Sequence, residues 1–110
     1  MNTTPDSLSE LRERLRQFAA ERDWEQFHVP KNLAMSVAIE AAEIMEHFQW
    51  LTPDESAALP EQQRCAVAHE IADVLLYLVR LADVLDIDLA EAAMDKMAIN
   101  AHKYPVVRGI

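Results

Sequence analysis

The chain has 110 residues, of which 51% are hydrophobic and 26% charged, and its formal net charge is -9. That length holds one domain with one core and buries only about 65% of the surface exposed when unfolded, so a partner would add stability. The acidic balance argues against long nucleic acids, whose binding needs Lys and Arg to neutralise many phosphates, and no apolar run approaches the roughly 20 residues of a membrane span.

The sequence holds one glycine, Gly109, and one cysteine, Cys65. Phosphate-cradling loops, dinucleotide fingerprints and tight hairpins want glycines at their turns, which argues against P-loop, Rossmann and most β architectures. Phosphate handling then falls to side chains and metal. Cys65 has no partner for an internal disulfide, agrees with a reducing compartment, and is expected as a buried, inert thiol. The stretch Met1 to Asp6 lacks the basic and apolar regions of a secretion signal, so the expected location is cytoplasmic.

In chain order, Ser7 to Glu10 reads as a capping box that opens a first helix, with Leu8, Leu11, Leu15 and Phe18 on one face and an end near Arg22. Trp24 to Lys31 has no periodicity, contains an X-Pro step and reads as a loop. A second helix is expected from Asn32 to Gln49. It is apolar almost all round, with one polar stripe of Ser36, Glu40, Glu43 and His47. Thr52, Pro53 and Glu55 give a short capped turn in the connector. A third helix from Glu61 to Leu85 is long enough to cross the whole subunit, and its centre, Val74 to Val79, is too apolar for three neighbours to cover. Asp88 caps a fourth helix that carries Leu89, Ala93, Met94 and Met97 inward and ends near Tyr104 and Pro105. The expected architecture is an all-α, four-helix, oligomeric bundle in one domain spanning residues 1–110.

Two acidic pairs carry most of the chemistry: Glu40 with Glu43, and Glu70 with Asp73. Residues three apart share a helix face, so each pair projects two carboxylates in one direction. A single exposed pair of this kind usually means a solvated face. Here both pairs sit on the two most apolar helices, flanked by Ile39, Ile44, Ile71 and Val74. Facing each other, four carboxylates must protonate or bind a hard divalent cation, and Mg2+ is the expected cofactor.

Tyr77 lies four residues after Asp73, beside the expected cluster, as a core tyrosine or one whose hydroxyl meets a ligand. Lys96, Asn100 and Lys103 share one face of the last helix, which suits phosphate oxygens but is also common on solvated faces. Trp24, Phe27, His28 and Trp50 could wall a planar base or simply plug the core. His47, His69 and His102 lack the spacing of a transition-metal site.

Taken together, Trp24, Phe27, His28, Pro30 to Leu33, Glu40, Glu43, Phe48 to Trp50, Glu70, Asp73 to Leu75, Leu78, Lys96, Asn100 and Lys103 to Pro105 resemble the MazG-like nucleotide pyrophosphohydrolases, and most nearly their dCTP-cleaving branch. The resemblance runs from about Leu8 to Pro105. It implies an all-α enzyme that uses Mg2+ to convert a nucleoside triphosphate to its monophosphate and pyrophosphate. By the same comparison Glu40, Glu43, Glu70 and Asp73 match the metal ligands, with Glu43 and Glu70 as catalytic residues. Trp24, His28 and Trp50 would line the base and sugar pocket, while Tyr77, Lys96, Asn100 and Lys103 would hold sugar and phosphates. Relatives of this type are homodimers or dimers of dimers with shared sites. Ala42 stands where the family often has glycine, and Ile39 where some dUTP-cleaving relatives carry a further acid, so the general base is unassigned.

The expected activity is hydrolysis of a dNTP, dCTP or a modified cytosine form, in cleaning the nucleotide pool. The rivals are a broad or dUTP-preferring pyrophosphatase on the same scaffold, and a catalytically silent helical module that binds nucleotide or metal.

Overall fold

A computed structural model describes residues 7–107, and its regular elements are all helical. They are α1 (Leu8–Glu21), α2 (Pro30–Phe48), α3 (Pro53–Ala57), α4 (Glu61–Val84) and α5 (Leu89–Lys103), with a 3-10 turn at Trp24–Phe27 between α1 and α2. No strand occurs among the described residues, as expected for an all-α chain. Met1 to Asp6 and Gly109, used above for location and turn chemistry, lie outside the described residues.

The helix ends follow from local chemistry. Ser7 Oγ accepts the Glu10 N–H at 3.2 Å, and Asp88 Oδ1 accepts the Glu91 N–H at 3.0 Å. Thr52 and Glu55 form both bonds of a capping box around Pro53 at the first position of α3. With no glycine to turn the chain, aspartate takes the left-handed position after two helices: Asp23 has φ 57 and Asp86 has φ 56. After α4, Asp86 N–H bonds Asp83 O and Ile87 N–H bonds Ala82 O, the paired closure of a Schellman motif with aspartate where glycine is usual. The loop expected up to Lys31 is shorter than read. Its Pro30 is the first residue of α2, where the missing N–H costs nothing.

α2 and α1 both pack on α4, α2 the more extensively. Leu33, Val67, Val79, Ala82 and Ala19 form the small buried core. α5 makes no comparable packing, and all its residues except Leu89 are exposed. The chain is therefore long, 56 × 37 × 35 Å with a radius of gyration of 17.4 Å, against about 13 Å for a compact domain of this size. Met94 and Met97, expected inward, are exposed within the chain because α5 extends away from its neighbours. Cys65 is likewise exposed rather than buried, its thiol 3.7 Å from Glu61 Oε1 one helical turn earlier. Apolar side chains also stand bare on α2 (Met35, Ile39, Met45) and on α4 (Ile71, Leu75, Leu78). Among the described residues no helix is long and apolar enough to cross a membrane.

Candidate functional site

On α2 the burial pattern inverts what composition suggests. Ser36, Glu40, Glu43 and His47, the polar stripe, are half-buried, while Ile39 on the neighbouring face is 59% exposed. On α4 the matching stripe runs from buried Val67 through half-buried Glu70, Val74 and Tyr77. Packing α2 on α4 thus presses carboxylates against carboxylates. One oxygen from each of Glu40, Glu43 and Glu70 lies within 4.8 Å of the other two. Two oxygens, Glu40 Oε2 and Glu70 Oε2, are shut off from solvent with no hydrogen-bond partner.

Acids so placed hold protons more tightly. Glu40 is pushed up from 4.5 to about 7, first by burial, then by a hydrogen bond with Glu43 and by the charges of Glu43, Asp73 and Glu70. Glu70 is also raised, chiefly by its hydrogen bond with Glu43, then by burial and by the Glu43 charge. The donor set is all oxygen and negatively charged, and two of its oxygens lack a partner. Such a group fits a hard divalent cation, which would satisfy the orphaned oxygens and offset the repulsion. Asp73, expected as a fourth ligand, is not in the tight trio. It sits one turn further along α4, close enough for its charge to raise Glu40 and Glu70.

Asp73 also lines a cavity of about 510 Å³, walled by Leu15, Phe18, Ala19, Trp24, Phe27, His28, Leu76, Tyr77 and Arg80. That volume suits a small organic ligand, and the wall has the expected mix of apolar surface with few polar groups. The left-handed turn at Asp23 places Trp24 edge-on to Phe18, with ring centroids 5.5 Å apart, and 6.1 Å from the His28 ring. Asn32 Nδ2 donates to Phe27 O at 3.2 Å, tying the aromatic turn to the start of α2.

Of the residues singled out in the sequence, Trp24, His28, Asp73 and Tyr77 meet at this cavity, and Glu40, Glu43 and Glu70 meet beside it. The others are elsewhere in the single chain. Trp50 is 86% exposed and outside the cavity wall. Lys96, Asn100 and Lys103 lie on exposed α5, with the Lys103 ammonium 5.4 Å from the Tyr104 ring. Sequence reasoning missed Arg80, which is only 9% exposed, lines the cavity and donates from Nε to His28 Nδ1 at 3.0 Å. Its signal was available: Asp73, Tyr77 and Arg80 fall at i, i+4 and i+7, one face of α4.

Residues 35–109 match the MazG-like family. The chain is 44% identical over 102 residues to "dCTP pyrophosphatase 1" of Mus musculus, covering 91% of this chain and 60% of that protein. The protein of the same name from Homo sapiens is 44% identical over 101 residues, covering 90% and 59%. This chain therefore spans about 60% of the length of these relatives. Among solved structures, a pyrophosphatase from Archaeoglobus fulgidus superposes with a TM-score of 0.85 at 43% identity, over 96% of this chain and 99% of that one. Matched along most of its length by sequence and by fold, the chain belongs to the MazG-like family.

Proposed function

We propose that this chain is a single-domain, Mg2+-dependent nucleoside triphosphate pyrophosphohydrolase that converts dCTP, or a modified cytosine dNTP, to the monophosphate and pyrophosphate. One observation carries the reading: three converging carboxylates sit directly beside an aromatic cavity, with Asp73 common to both neighbourhoods. The identity to proteins named dCTP pyrophosphatase 1 supports the choice of base and reaction.

Glu40, Glu43, Glu70 and Asp73 would hold the metal, which when bound supplies positive charge to phosphate oxygens and acidifies a coordinated water. Hydrogen bonds link Glu43 to both Glu40 and Glu70, and Glu40 to Glu70, so the three side chains form one connected cluster. Trp24 and Phe18 offer aromatic faces to a base, and Tyr77 and His28 offer polar atoms to a base or sugar. Lys96, Asn100, Lys103 and Trp50 are too far out on the single chain to serve this cavity, and a second copy would supply them. The bare apolar faces of α2, α4 and α5 are the surface such a homodimer, or dimer of dimers, would bury.

The reading is tested with the purified protein, Mg2+ and a panel of canonical and modified dNTPs and NTPs, resolving pyrophosphate from phosphate. dCMP and pyrophosphate from dCTP, in preference to other bases, is the expected result. Equal cleavage of every base would reduce the reading to a broad pyrophosphatase, and binding without cleavage would overturn it.

A further inference from the structure

Arg80 is the one buried charged residue among those described, and its partners divide its guanidinium between two tasks. Nη1 meets Asp83 Oδ2 at 3.4 Å, while Nε donates to His28 Nδ1 at 3.0 Å. Asp83 is in turn gripped by Arg16 of α1, whose Nε lies 2.7 Å from Oδ2 and whose Nη2 reaches Oδ1. This chain of bonds ties α1 to α4 and ends on the ring of His28 in the cavity wall.

A guanidinium has five N–H donors and no acceptor, and it stays charged at any pH the protein survives. The histidine nitrogen that faces it must accept, so Nδ1 carries no proton. Burial and the Arg80 charge also push His28 below its usual 6.5, with Glu25 opposing them, which leaves the ring neutral at pH 7. A neutral imidazole has one proton, and here it belongs to Nε2. Among the described residues Nε2 has no protein partner. The hydroxyl of Tyr77, also in the wall, rotates to donate or accept and so sets no preference by itself.

We propose that Arg80 is a positioning residue that fixes His28 as a one-way hydrogen-bond donor, and that this donor selects bases with an acceptor at ring position 3. The inference rests on the nucleotide-binding reading of the cavity. Cytosine presents a bare N3 on its pairing edge, whereas uracil and thymine present N3–H, which would face the His28 N–H donor to donor. A buried donor left without an acceptor costs more than a made bond gains, so discrimination follows from the mismatch.

The tautomer is read from nitrogen-15 spectra of the histidine rings in the full chain at pH 7.5, and base preference from titrations with dCMP and dUMP, neither of which requires turnover. The expected wild-type result is an unprotonated Nδ1, a protonated Nε2, and tighter binding of dCMP than of dUMP. Arg80→Lys, whose ammonium is also donor-only, should keep both properties. Arg80→Gln can accept from Nδ1 and leaves Asp83 to Arg16; it should mix the tautomers and shrink the dCMP preference by about tenfold, the scale of one hydrogen bond. A protonated Nδ1 in the wild type, no preference between the monophosphates, or a preference unchanged in Arg80→Gln would each overturn the proposal. Should Arg80→Gln not fold, the wild-type tautomer and the Arg80→Lys titrations decide. Loss of the pyrophosphatase reading alone would show instead as absent pyrophosphate release with the tautomer and monophosphate preference intact.

Discussion

Glu40 makes the cost of the acidic cluster measurable at the level of single residues. Its folded value of about 7 lies above its ordinary 4.5, so the folded chain keeps a proton that the unfolded chain has lost. The stability this contributes is full below about pH 4.5 and disappears as pH rises through about 7. His28 and Asp83 are lowered on folding and act in the opposite sense. Asp83 contributes once pH is above 3.8, and His28 contributes above 6.5 and loses that contribution as pH falls below it. The metal-free protein should therefore lose melting temperature between pH 5 and pH 8 relative to Glu40→Gln, which lacks the titrating acid. Mg2+ should restore the wild type at pH 8 and do little at pH 5. Parallel melting curves for the two proteins, or a Mg2+ effect equal at both pH values, would remove the cluster as a cation site. The trio was legible in the sequence because its spacing and apolar surroundings pointed to convergence. Arg80 shares the α4 face of Asp73 and Tyr77, but a lone arginine in an apolar helix ordinarily snorkels to water, and only the tertiary position of His28 shows that this one is held in the wall.

For the helices, termini were legible wherever a side chain set them. Thr52, Pro53 and Glu55 located α3, and the long helix expected to end at Leu85 ends at Val84 with Leu85 as its cap. Pro30 misled because an X-Pro step reads both as a loop and as a first helical residue, and only packing, with Leu33 1% exposed, decides between them. The aspartates at left-handed positions give a direct test. Asp86 holds φ 56 at the α4–α5 junction, so Asp86→Gly should raise stability by about 1 kcal/mol and Asp86→Val should lower it by at least as much, measured by urea unfolding. Leu33→Ala removes the most buried large side chain joining α2 to the core and should cost about 2–4 kcal/mol by the same measurement. If Leu33→Ala cost less than about 1 kcal/mol, α2 would be held by contacts outside this chain.

Across the whole molecule, the excess apolar surface and the isolated α5 are two sides of one fact. The inward face expected for Met94 and Met97 came from a rule that apolar helix faces find a core, and within one chain they find none. A single sequence describes such faces only as surplus hydrophobicity. If a second copy completes each site, mixing two inactive proteins should restore turnover. Glu43→Gln lacks an acid of the cluster and Lys96→Met lacks a cation of α5, so hybrids carrying one of each would hold one intact site. Recovery of up to about a quarter of wild-type activity after co-refolding is expected for random dimers. No recovery, with hybrids demonstrated by mass, would place both residues in the same chain's site.

The most direct test of the central claim is pyrophosphate release from dCTP by the full chain as Mg2+ is titrated, with Glu43→Gln and Glu70→Gln measured alongside. Saturable, Mg2+-dependent release of pyrophosphate with dCMP, falling at least about 100-fold in either variant, is the predicted result. Release that persists in both variants, or phosphate and dCDP as the products, would contradict it.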